Sequence, residues 1–160
     1  MPSPRRSRLR TPWRAVLALT LALLAGGAAA APGIAIVVAP EHPLAALDRR
    51  GLAAIFKRKR RVSADGTALV PVNLPATAPL RIAFSRAVFA QDPAGLDHYW
   101  NERYFHGIPP PHVVDSVEAM LRFVVATPGA VGYVPACRVD ARVRILLVLP
   151  VSIDDCSAVR

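Results

Sequence analysis

The stretch "GIAIVVAP", Gly33 to Pro40, decides how the rest of the chain is read. A β-branched apolar run with no polar alternation, stopped by proline, predicts a buried first strand. Such a strand needs apolar layers around it, and the following segments supply them. Asp48 can cap the helix "RRGLAAIFK", in which Leu52, Ile55 and Phe56 share one face. "ADG" (Ala64 to Gly66) reads as a turn and "TALVPV" (Thr67 to Val72) as a second strand. Pro79 can open the next helix, whose stripe is Leu80, Ala83, Phe84, Ala87 and Val88.

Asp92 and Pro93 start a further helix, "AGLDHYWNERYFHG", which Gly107 ends. "IPPP" is rigid and extended. Ser116 caps "VEAMLRFVVAT", which Pro128 breaks; "GAVGYVP" (Gly129 to Pro135) and "VRILLVLP" (Val143 to Pro150) are further strands, the last one buried. The predicted order is β-α-β-α-α-α-β-β. Apolar strands separated by amphipathic helices imply an α/β domain, a layered sheet with helices on both faces.

Upstream of the first strand the composition changes. Arg5, Arg6, Arg8, Arg10 and Arg14 precede "AVLALTLALLAGGAAA", and small residues end the stretch near Ala30. That pattern predicts a secretory signal peptide over residues 1–30 and a periplasmic or secreted protein. The alternative is a retained anchor, but the 16 residues Ala15 to Ala30 are short for a span of about 20. The domain then covers 31–150, and a polar tail covers 151–160.

This division changes the meaning of the charge. The chain carries 20 Lys and Arg against 11 Asp and Glu, a net +9. Five of the basic residues lie in 1–30 and no acid does, which leaves fifteen against eleven. A further five are consecutive: Lys57, Arg58, Lys59, Arg60 and Arg61. Outside that run the remainder is near neutral, so the domain as a whole is not a polyanion binder. Nucleic acid is excluded as a partner by export. The run itself reads as a basic surface loop after the first helix.

Two cysteines, Cys137 and Cys156, make a disulfide plausible in an oxidising compartment, and no C-x-x-C motif is present. The four histidines, His42, His98, His106 and His112, lack the i, i+4 spacing of helical metal ligands, so no metal and no cofactor is expected. No G-x-S-x-G and no paired-carboxylate pattern appears, and the chain is not read as an enzyme. Tyr99, Trp100, Tyr104 and Phe105 divide between core and domain edge.

Several pieces, taken in order, carry a resemblance: "IF" ending a helix, a hydrophilic basic loop, "DG", a strand ending "PV", Tyr99-Trp100 with Phe105 and Gly107, and Pro128-Gly129-Ala130-Val131-Gly132-Tyr133. Over Ile34 to Val134 the chain resembles the short PstS-like group of phosphate ABC-transporter solute-binding proteins. The resemblance implies the type 2 periplasmic-binding-protein fold, a small phosphate-like oxyanion as ligand and an ABC permease as partner. The pattern departs in two places. After "IF" the family carries Gly-Lys where this chain has its basic run. The Arg-x-x-x-Ser-Gly-Thr segment that holds the oxyanion reads here "NLPATAPLR".

Oxyanion chemistry would then fall to helix N-termini, where free N–H groups and the dipole point outward. Thr77 precedes one such helix, Arg81 sits in its first turn, and Ser116 precedes another. A pocket from Thr77, Arg81 and Ser116 is one reading, and two N-caps with a surface arginine is the other. The second functional class is an interaction module without ligand, which docks an envelope protein or a membrane surface through Lys57 to Arg61.

Overall fold

The computed structural model describes residues 33–153. The expected signal peptide and most of the polar tail, Cys156 included, lie outside the described residues. Five strands form one mixed sheet: β1 (Ile34–Val38), β2 (Val70–Asn73), β3 (His112–Val113), β4 (Ala130–Pro135) and β5 (Arg144–Leu149). Four α-helices accompany it: α1 (Arg49–Phe56), α2 (Pro79–Phe89), α3 (Asp97–Phe105) and α4 (Val117–Ala126). Short 3-10 turns precede α3 (Pro93–Leu96) and follow β4 (Ala136–Arg138).

The strand order is β3-β2-β4-β1-β5. β2 runs parallel to both β3 and β4, whereas β1 is antiparallel to β4 and to β5. Every residue of β1 is buried, as a strand flanked on both sides by neighbours requires. A bulge between Ile36 and Val37 shifts the register against β5.

Consecutive residues of β4 show how the two faces are covered, because side chains alternate along a strand. Gly132 faces α4 closely: a Cβ there would stand 2.7 Å from Met120 Sδ and 2.8 Å from Val124 Cγ2. Tyr133 points the other way, stacked on Phe84 of α2 with ring centroids 4.0 Å apart and tilted against Phe56 of α1 at 6.0 Å. Helices therefore lie on both faces, and the aromatic trio closes one of them. Removing a ring such as Phe84 would cost about 3–5 kcal/mol in lost burial and cavity formation.

Local signals act as expected at several boundaries. Asp48 accepts the Gly51 N–H at 2.7 Å, and Ser116 accepts the Ala119 N–H at 3.1 Å. The "ADG" turn closes on Asp65, which accepts from the Thr67 N–H, with Gly66 at φ +87. The structure differs from expectation in three places. β2 begins at Val70, since Ala68 forms only an isolated bridge with Val62. The region after α3 contains β3, which pairs through backbone alone and exposes both its side chains, so it has no apolar signature. β5 is an edge strand and only partly buried: Ile145 and Val148 are exposed, whereas Leu149 is buried.

Candidate functional site

β2 ends in Asn73 and Leu74, and the chain turns at once through Pro75 to Ala78, whose N–H bonds the Pro75 carbonyl at 3.0 Å. α2 follows with Pro79 in its first turn. The turn thus delivers a helix N-terminus to the carboxyl end of a parallel strand, where open α/β sheets form their ligand crevices. Thr77 does not cap this helix. The N-cap is Ala78, which has no side-chain bond to offer.

Two first-turn N–H groups, those of Leu80 and Arg81, precede the first helical bond, from the Ile82 N–H to the Ala78 carbonyl. Pro79 has no N–H to contribute. Arg81 places a cation at the positive end of the helix dipole, an unfavourable position when nothing balances it. The first turn of α2 contains no acid, and no carboxylate of the described residues lies within ion-pair distance of Arg81. The side chain is nevertheless buried, at 8 % exposure, and its Nε has no hydrogen-bond partner.

Arg81 lines a cavity of about 140 Å³ whose other walls include Asn73, Asp97, Trp100, Pro111 and Val113. Asn73 Oδ1 is a second buried polar atom without a partner. Beside them stands Tyr133, whose hydroxyl oxygen accepts the Leu74 N–H at 3.1 Å. Burial pushes this phenol's pKa up, with the charge of Arg81 opposing, so the hydroxyl keeps its proton near neutral pH. Arg81 and Asn73 thus both line the cavity, and each has one buried polar atom without a partner among the described residues.

Of the residues singled out from sequence, the structure brings two near each other. Thr77 lines an adjoining cavity of about 340 Å³ that shares Ala76, Pro93 and Asp97 with the first. Ser116 lines neither cavity, and its hydroxyl oxygen is engaged in capping α4. Asn73, Trp100 and Tyr133 were not among the sequence candidates. The available signals were an Asn ending an otherwise apolar strand and a tyrosine inside the apolar β4.

The basic run divides by environment. Lys57 Nζ lies 5.4 Å from the ring centroids of both Phe89 and Tyr99, and the Tyr99 hydroxyl donates to the Lys57 carbonyl at 2.6 Å. Arg58 is half-buried with φ +56 and reaches the Leu69 carbonyl at 3.4 Å. Arg60 is half-buried, while Lys59 and Arg61 are exposed. Among the histidines only His42 is buried; its Nδ1 accepts the Leu44 N–H at 3.1 Å. The described residues contain no group of three or more His, Cys, Asp or Glu placed to hold a metal ion. Cys137, in the turn after β4, is disulfide-bonded.

The sheet order, the crossovers and the crevice at the end of β2 define an α/β fold of the periplasmic-binding-protein type. Three solved structures similar to it are phosphate-transport proteins. An ABC-type phosphate transport receptor from Vibrio cholerae matches at TM-score 0.57 and 22% identity, covering 72% of this chain and 45% of that one. A phosphate ABC transporter substrate-binding protein with bound phosphate from Clostridium perfringens matches at TM-score 0.58 and 18% identity, over 72% and 44%. PstS from Borrelia burgdorferi matches at TM-score 0.55 and 13% identity, over 72% and 46%. The chain therefore spans less than half the length of these structures. No family model and no curated protein matches the sequence.

Proposed function

We propose that this chain is an exported solute-binding protein of the phosphate-transport type, which holds a small oxyanion at the N-terminus of α2 and passes it to an ABC permease. The observation that carries the reading is Arg81, a buried first-turn arginine that lines a small cavity and whose Nε has no hydrogen-bond partner among the described residues. An anion there would balance the cation, take its spare donor and accept from the first-turn N–H groups of Leu80 and Arg81. The cavity, about 140 Å³, is large enough for one tetrahedral oxyanion. Phosphate is the favoured ligand because the structures that share this fold include one with phosphate bound. Export rests on the reading of residues 1–30 and delivery to a permease on the fold similarity; neither reading includes a catalytic step. Among the described residues no helix is long and apolar enough to cross a membrane.

Isothermal titration with phosphate and with sulfate tests this reading. Binding of either oxyanion with near one-to-one stoichiometry is expected, and no heat from either on folded protein would rule it out.

A further inference from the structure

Residues 49–61 hold seven Lys and Arg: Arg49, Arg50 and the run Lys57 to Arg61. None of them joins an ion pair among the described residues, whose salt bridges are made instead by Arg86, Arg122 and Arg142. The acid just before this segment, Asp48, is engaged in capping α1. The run also folds back along the helix. The N–H groups of Lys59 and Arg60 both bond the Ala54 carbonyl, and Arg60 Nη1 comes within 3.9 Å of where a Cβ on Gly51 would stand. Arg60, from beyond the C-terminal end of α1, is thereby brought back alongside Gly51 near the start of the helix.

The groove beside this run has a mixed lining. Arg58, Lys59 and Arg61 alternate with apolar Val62, Ala68, Leu69 and Val70 around a space of about 560 Å³. Val62 is 55 % exposed although it neighbours five cations. Arg58 has φ +56, a conformation that glycine would hold without strain, and its guanidinium reaches the Leu69 carbonyl under this groove. A charge-only partner leaves the apolar tip unexplained, and an apolar partner leaves the unpaired cations unexplained. A surface with anionic headgroups above hydrocarbon matches both.

We propose that this side of the molecule rests on an anionic lipid surface, with Lys59 and Arg61 among the phosphates and Val62 at the headgroup boundary. The inference is independent of the oxyanion site, which lies at the opposite, carboxyl end of β2. The attraction is additive and screened by salt, falling off within a Debye length. Removing two cations should weaken binding about thirty-fold, from roughly five-fold for each.

The test uses the full chain carrying V62C labelled with a polarity-sensitive fluorophore, and the labelled wild type as background. The local probe separates contact at this groove from attachment through residues 1–30. Vesicles containing phosphatidylglycerol should raise and blue-shift the emission at position 62, whereas pure phosphatidylcholine should not. K59Q/R61Q in the same background should need about thirty-fold more lipid for the same response. Vesicle binding that leaves the probe in water would overturn the proposal, as would equal responses to both lipids. A response to soluble polyglutamate but not to vesicles would also overturn it, assigning the surface to an acidic protein.

Discussion

Arg58 and Arg81 share an odd feature: each is an arginine held where the local backbone disfavours it. At Arg58 the residue following the last turn of α1 adopts φ +56, the left-handed region in which glycine commonly ends helices. The PstS-like pattern, with Gly-Lys after "IF", sets its glycine at Lys57 and a lysine at Arg58, so the strain at Arg58 was not visible in the sequence. R58G should therefore raise stability by about 1 kcal/mol, the usual difference at such a site, less the long bond to Leu69. Thermal unfolding of the two proteins side by side would show it; a lower midpoint for R58G would mean that the arginine stem contributes more than the strain. His42 offers a second prediction. Its pKa is lowered, first by burial and further by Arg144, against opposing contributions from Gly129 and Asp65. The unfolded imidazole, near its ordinary 6.5, thus binds a proton at a pH where the folded one does not. Stability should fall as pH drops below about 6.5. H42N keeps an acceptor for the Leu44 N–H and removes the titration, so denaturant midpoints between pH 5 and 7.5 should lose most of that slope. An unchanged slope would place the pH sensitivity elsewhere.

At the scale of elements, periodicity carried most of the information. β1, the helices and their caps follow from apolar spacing, Asp48, Ser116 and Pro79. What escaped has a common cause: pairing partners are not written into a strand's own residues. β3 pairs through backbone with its side chains exposed, and β5 has an apolar run although one edge is open. Likewise, nothing in the spacing of "AVGYV" says which residue meets which layer. The geometry gives a sharp contrast to measure. G132A would place a methyl group against Met120 and Val124 in packed contact and should cost about 1–3 kcal/mol. I145T on the exposed face of β5 should stay within about 0.5 kcal/mol of wild type. Equal losses in chemical denaturation would contradict the assignment of β4 as a covered central strand and β5 as an edge.

For the whole molecule, the fold was legible because it is a sum of local patterns, and the site was legible only in part. Arg81 could be picked out as a cation in a helix's first turn; its burial depends on Trp100, Pro111 and Asn73, which come from three separate segments. Ser116 has the right residue type at a helix start, but it lines neither cavity and its hydroxyl caps α4. The chain spans less than half the length of the structures it resembles, and its described residues include a buried arginine without an ion-pair partner lining a cavity and exposed cations without ion pairs on a surface. The proposed oxyanion site depends on the first of these. The most direct measurement is the Arg81 Nε–H resonance in a proton–nitrogen NMR spectrum, assigned by its loss in R81K and followed during phosphate addition. A saturable shift of that resonance, together with those of the Leu80 and Arg81 amides, is predicted. An unmoved Arg81 resonance in folded protein at saturating phosphate would contradict the account.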